Sequence, residues 1–313
     1  VKRGVFDVLR RGVDNTIANW PLILIRLGEA LLFGILAIAT VIIALAPILV
    51  SLGIELSKLT SPDDIANAAL ALMTKWVLLV WVVVAITALL IVFTAVHGFV
   101  EAGSARVYVD GERIAGPAMT GPRTRFRVFS MERWLTGAKD GWWTVFWIYN
   151  LAWATACLIL LIPLVPTLIG VIVFRENPAA LLTTSCLGLI VTSLLLIVVG
   201  AVTGMWINRA INEWAAHRFG TRDALSAGWS AIKADLGRHL LILIAVFVVA
   251  MAGSSFFASF SFFAAFGDAF GGNHGIFTLF TMPLRLLGTL LSSAFSAVVT
   301  AWYLASYAAL SVE

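Results

Sequence analysis

Three pairs of opposite charge stand at helical spacing in a chain otherwise poor in charge. Arg26 and Glu29 are three residues apart, His97 and Glu101 four, and Arg209 and Glu213 four, with Arg218 five residues further on. At these spacings two side chains share one helix face and can neutralise each other. Deep in a membrane, the same groups would be the parts of a proton relay or a cation gate. Arg26 lies only about 6 Å beyond Leu22 along a helix axis, so its guanidinium is expected to snorkel toward the interface. No further ionisable group lies deeper in any of these runs, so the spacing favours structural clasps over a relay.

A second cluster, Arg123, Arg125 and Arg127 beside Phe126 and Phe129, has the chemistry to meet anionic lipid headgroups, and no nucleic-acid partner is expected. Signals for catalysis are missing. His97, His217, His239 and His274 form no HExxH or HxxEH spacing, and neither a glycine-rich phosphate loop nor a GxSxG turn is present. Cys157 and Cys186 both lie inside apolar runs, where cysteine behaves as a small hydrophobe. Catalytic residues, a metal site and a cofactor are therefore not expected.

The elements that must position these groups are set by composition. Of 313 residues, 61% are hydrophobic and 12% charged; mean hydropathy is +0.99. Soluble domains carry about 25% charged residues, so water is not the main solvent of this chain. A helix needs roughly 20 apolar residues to cross the hydrocarbon core. Six runs qualify, at about 22–51, 75–100, 143–173, 179–207, 240–266 and 286–310. Pro47 is expected near the far end of the first, and Ser61-Pro62 reads as a helix start in the loop that follows. Pro163 and Pro166 predict a kink or an early end in the third run, and the glycines after Phe266 predict the end of the fifth. Between the third and fourth, Arg175 to Pro178 leaves room only for a tight turn, so these two runs are expected to be antiparallel neighbours. Gly200 and Gly204 form a GxxxG, and Ser292, Ser296 and Thr300 a small-residue ladder, both patterns of helix packing.

Amphipathic stretches stand before the first, third and fifth runs. Val5, Phe6, Leu9, Val13, Ile17 and Trp20 recur at helical spacing, with Lys2, Arg3, Arg10, Arg11, Asp14 and Asn15 on other faces. Met131, Trp134, Leu135, Ala138 and Trp142 make a second stripe, and Leu225, Trp229, Ile232 and Leu236 a third, restarting after a break at Gly220. Set side by side, 6–20, 129–143 and 225–239 suggest a threefold repeat. The turn-rich segment 108–130 contains Asp110-Gly111, which fits a short β-hairpin. The predicted fold is all-α and forms a single integral membrane domain. Six transmembrane helices form three hairpins, each preceded by a cytoplasmic interfacial amphipathic helix.

Segments 1–20, 101–142 and 208–239 hold sixteen Lys and Arg residues, against four at Lys58, Lys75, Arg175 and Arg285 on the opposite side. By the positive-inside rule both termini and both long connectors are cytoplasmic, in a bacterial-type inner membrane. Lys2 and Arg3 resemble a signal-peptide n-region, but no apolar core follows before Pro21, so the first span is expected to be retained.

This layout, with the string Asp223-Ala224-Leu225-x-x-Gly228-Trp229, resembles the membrane domain found beside glycerophosphodiester phosphodiesterases and related bacterial six-span membrane families. In that family the hydrolytic chemistry resides in a separate soluble domain, so the resemblance implies a membrane module without hydrolase activity. It transfers no site residues. The expected function is a non-catalytic scaffold, accessory subunit or lipid-contacting module, with membrane lipids and a protein in a membrane complex as partners. The alternative is a small-solute secondary transporter with its path between the hairpins.

Overall fold

The computed structural model describes residues 2–52, 76–117, 122–270 and 274–313, with side chains described outside 45–52, 79, 260–281 and 284. Among the described residues every regular element is helical. In chain order they are α1 (Val5–Ala18), α2 (Pro21–Leu52), α3 (Trp76–Ala115), a 3-10 turn (Arg123–Phe126), α4 (Met131–Val173), α5 (Pro178–His217), α6 (Thr221–Ala234), α7 (Leu236–Phe270) and α8 (His274–Ser311). Helices α2, α3, α4, α5, α7 and α8 are long and apolar enough to cross a membrane. The loop after α2, with Ser61-Pro62, and the glycines at 271 and 272 lie outside the described residues.

Local chemistry explains several boundaries. Pro21 and Pro178 stand at the first position of α2 and α5, where a missing N–H costs no helical bond. The Ser130 hydroxyl accepts the backbone N–H of Arg133 at 3.2 Å and caps α4, and the Asn177 side chain accepts that of Ala180 at 3.1 Å and caps α5. Helix α5 ends where Arg218 adopts a left-handed conformation, φ 60°, and α6 opens after Gly220, the break expected from sequence.

Three expectations are corrected. Asp110-Gly111 is not a hairpin turn: α3 runs through it to Ala115. The reason is packing, because Ala102, Ala105, Val107, Tyr108, Val109 and Glu112 are all fully or nearly fully buried on successive faces of the continuing helix. Helix α4 passes Pro163 and Pro166 without ending. Of the kink or early end expected there, this overturns the early end alone, since prolines are tolerated inside apolar spanning helices. Gly200 and Gly204 do not mark a helix contact, since a Cβ at either would meet nothing within 4 Å.

One contact recurs three times. A Cβ on Gly12 of α1 would lie 3.0 Å from the Ser306 backbone nitrogen of α8. On Gly137 in α4 it would lie 2.7 Å from the Arg106 Cβ of α3, and on Gly228 in α6 it would lie 2.8 Å from the Ala210 nitrogen of α5. In each case an acidic residue, Asp7, Glu132 or Asp223, occupies the first turn five positions earlier. At Gly12 and Gly228 the facing backbone leaves no room for a methyl group, and at Gly137 the side-chain stem of Arg106 occupies that place. Aligned on Gly12, Gly137 and Gly228, the three segments would set Phe6 beside Met131 and Arg222.

The chain divides into two compact units, residues 1–26 with 98–313, and residues 27–97. In the first, the core gathers at one end of the long helices, around Tyr108, Ile148, Ile211, Trp214, Leu304 and Ala308. A second cluster joins Val8, Met205, Ile232, Ile242 and Tyr307. Away from that end, side chains such as Leu158, Ile162, Ile190, Leu194, Phe247 and Val248 are exposed. In the second unit Phe33 stacks on Phe93 at 4.4 Å, and the Trp81 indole donates to the Ile43 carbonyl at 3.4 Å.

Candidate functional site

The densest polar cluster in the first unit is built by the stripe Arg11, Asn15 and Asn19, which repeats every four residues along α1 and the turn after it. Arg11 Nη2 lies 2.7 Å from Glu112 Oε2, and Arg11 Nε donates to the same oxygen at 2.9 Å. Arg3 approaches it from the other side at 3.4 Å while donating to the Ala309 carbonyl at 2.7 Å. Asn15 donates to the Tyr108 carbonyl at 2.9 Å. Asn19 donates to the Phe126 carbonyl at 2.8 Å and accepts the N–H groups of Val128 and Phe129 at 3.0 and 2.9 Å. All five residues are buried, Glu112 completely. The stripe therefore clips α3 to the 3-10 segment, and Arg3, just before α1, ties the same carboxylate to α8.

Part of the polar face of α1 is thus turned inward: Arg11 and Asn15 face protein, while Phe6, Ile17 and Trp20 point outward, Phe6 at 86% exposure, and Leu9 of the apolar stripe is buried with Val8. The signal was present as the four-residue recurrence 11, 15, 19, but charge alone suggested a solvated face.

The pairs singled out by spacing also find partners on other helices. Arg26 Nη2 lies 2.7 Å from Glu101 Oε2, with both side chains buried, so the arginine does not snorkel. Within the second unit, His97 Nδ1 lies 2.6 Å from Glu29 Oε1. Arg209 and Glu213 do pair along α5 at 2.7 Å, and His217 Nε2 adds a second contact to Glu213 at 3.5 Å. Arg218 instead faces Asp140 at 3.7 Å, with its guanidinium 5.6 Å from the Trp214 ring centre. Arg123 pairs with Asp14 at 2.6 Å, Arg125 lies over the Phe126 ring at 5.4 Å, and Arg127 is exposed.

A cavity of about 520 Å³ adjoins the Glu112 cluster, its charged lining made of Lys2, Arg3 and Arg113 against Asp7, Glu112 and Glu313. Its formal lining charges are three positive and three negative. Nearby, the Lys2 ammonium 2.7 Å from Asp235 holds that carboxyl below the usual range. Among the described residues no group of three or more His, Cys, Asp or Glu side chains could hold a metal. The arrangement supplies fixed charge paired between helices and, at Arg209 and Glu213, along one helix.

No family model, no curated protein and no solved structure matches this chain.

Proposed function

We propose that this chain is a non-catalytic, multi-pass membrane module that contacts lipid through its cytoplasmic face and serves as a scaffold or accessory subunit for a protein partner. The observation that supports this reading is the outward face of α1 and the turn after it, where Phe6, Ile17 and Trp20 are exposed while Arg11, Asn15 and Asn19 are clamped inside. A helix so disposed is suited to lie in the interface with its apolar face in the lipid. On this reading the six spans form three antiparallel hairpins, each entered through an amphipathic segment. The excess of Lys and Arg places both termini in the cytoplasm of a bacterial-type inner membrane. The chain then acts as the membrane domains beside glycerophosphodiester phosphodiesterases do, without hydrolytic chemistry of its own.

Two measurements test it. Purification in mild detergent and mass spectrometry should find a stoichiometric protein partner; a monomer that moves solute in liposomes would favour the transporter instead. In a background lacking Cys157 and Cys186, cysteines at Ser61 or Asn273 should react with an impermeant thiol reagent in intact cells, and cysteines at Gly116 or Thr221 should not. The reverse labelling would overturn the orientation.

A further inference from the structure

An apolar groove of about 440 Å³ runs along α4 and α5 beneath α6. Its walls are Thr155 and Ile159 of α4, Val198 and Val202 of α5, and Ser226 and Trp229 of α6. Trp206 closes the upper end: its indole donates to the Leu225 carbonyl at 2.8 Å, and its ring centre is 5.6 Å from that of Trp229. From Trp206 to Val198 the groove descends about 12 Å at 1.5 Å per residue, close to half the roughly 30 Å hydrocarbon core. It therefore has the reach of one leaflet. Two cations lie on the exposed face of α6 that supplies its wall. Arg222, Ser226, Trp229 and Lys233 recur at spacings of four, three and four, so they share one exposed face of α6. The groove-lining pair Ser226 and Trp229 is thus bracketed by Arg222 and Lys233.

We propose that this groove is a binding site for an anionic phospholipid of the adjoining leaflet, with one acyl chain between α4 and α5 and the headgroup phosphate between Arg222 and Lys233. The proposal rests on reading α6 as an interfacial helix. Depth and charge together point to this occupant: a water-soluble anion has no use for a 12 Å apolar wall of roughly eight residues, and an apolar solute none for the paired cations. Aromatic residues at the interface, here Trp206 and Trp229, suit the boundary between chain and headgroup.

The test is native mass spectrometry of the full chain titrated with dioleoylphosphatidylglycerol or dioleoylphosphatidylcholine. Wild type should retain one tightly held phosphatidylglycerol, preferred about thirtyfold over phosphatidylcholine for two surface cations. Arg222→Gln with Lys233→Gln, both at exposed positions, should keep a lipid but lose the preference. Val198→Trp, at an exposed wall position, should lose the lipid while melting like wild type. Equal retention of the two lipids by wild type, an unchanged preference in the double variant, or an unchanged lipid count in a folded Val198→Trp would each overturn the proposal. Solute flux in liposomes with the lipid still bound would overturn the scaffold reading alone; loss of selective binding without flux would overturn the lipid site alone.

Discussion

Arg11 and Glu112, 101 residues apart, meet at 2.7 Å with both side chains withdrawn from solvent. Arg3 adds a second guanidinium to the same carboxylate oxygen, so one negative charge holds two positive ones. Removing the carboxylate leaves both cations buried without their counter-charge. Glu112→Gln should therefore cost about 3 to 5 kcal/mol, the usual penalty for breaking a buried pair from one side. Combining Glu112→Leu with Arg11→Met should cost less than the sum of the two single changes, because no orphaned Arg11 remains. Thermal melts of the four proteins in one detergent measure this, and strictly additive losses would mean the pair is not coupled.

Gly228 is the second test of how the amphipathic segments dock. A methyl group there would stand 2.8 Å from the Ala210 nitrogen, which belongs to a helix backbone and cannot swing aside. Gly228→Ala should destabilise by about 1 to 3 kcal/mol through overpacking. Gly204→Ala is the matched control, since nothing lies within 4 Å of its added methyl. It should be neutral or stabilising, because alanine is the better helix former. Equal effects of the two changes in a melt would remove the close approach as the reason for the glycine.

Helix existence was legible because runs of apolar residues long enough to span are an unambiguous signal. The break at Gly220 and the capping residues Ser130 and Asn177 lie on local chemistry that any reader of the chain can see. What could not be read is what depends on a distant helix. Asp110-Gly111 is a turn dipeptide by propensity, yet burial of Tyr108 and Glu112 against other elements holds it in α3. Arg26 with Glu101 and Glu29 with His97 join different helices, and spacing along one helix carries no information about that. Asn19 and Glu112 were missed, and Arg3 was read only as a charge of the polar face, because the partners that fix them across the fold lie roughly a hundred or more residues away.

Lys2 and Asp235 provide a pH-dependent test. The Asp235 carboxyl is held below its ordinary range chiefly by Lys2, so in the unfolded chain it binds a proton at a higher pH than in the folded one. The pair's contribution is therefore present at neutral pH and lost as pH falls through the usual aspartate range of about 4 and below. Lys2→Met should flatten part of that acid-side fall in melting temperature while changing little in high salt, where an exposed lysine is already screened. An identical acid-side profile in the two proteins would show that Lys2 does not set the Asp235 titration.

Glu213 decides between the two functional readings. Along an exposed helix, a pair such as Arg209–Glu213 contributes about 0.3 to 0.5 kcal/mol. Here the side chains are only 12% and 9% exposed, His217 adds a second contact, and Asn212 beside them is completely buried. The clasp is thus closer to a buried pair, and Glu213→Gln should cost several-fold more than the exposed value, about 1 to 3 kcal/mol. Arg209→Gln should cost a comparable amount, and the double change less than the sum. If Glu213 were instead a proton or cation site, the neutral substitution would abolish pH-dependent flux in liposomes and leave the melt where it was. A structural clasp cannot yield that combination, because its loss must register in stability first. Flux and melting temperature measured on the same reconstituted Glu213→Gln sample therefore separate a scaffold, whose melt falls and which moves nothing, from a transporter, whose melt holds and whose flux disappears.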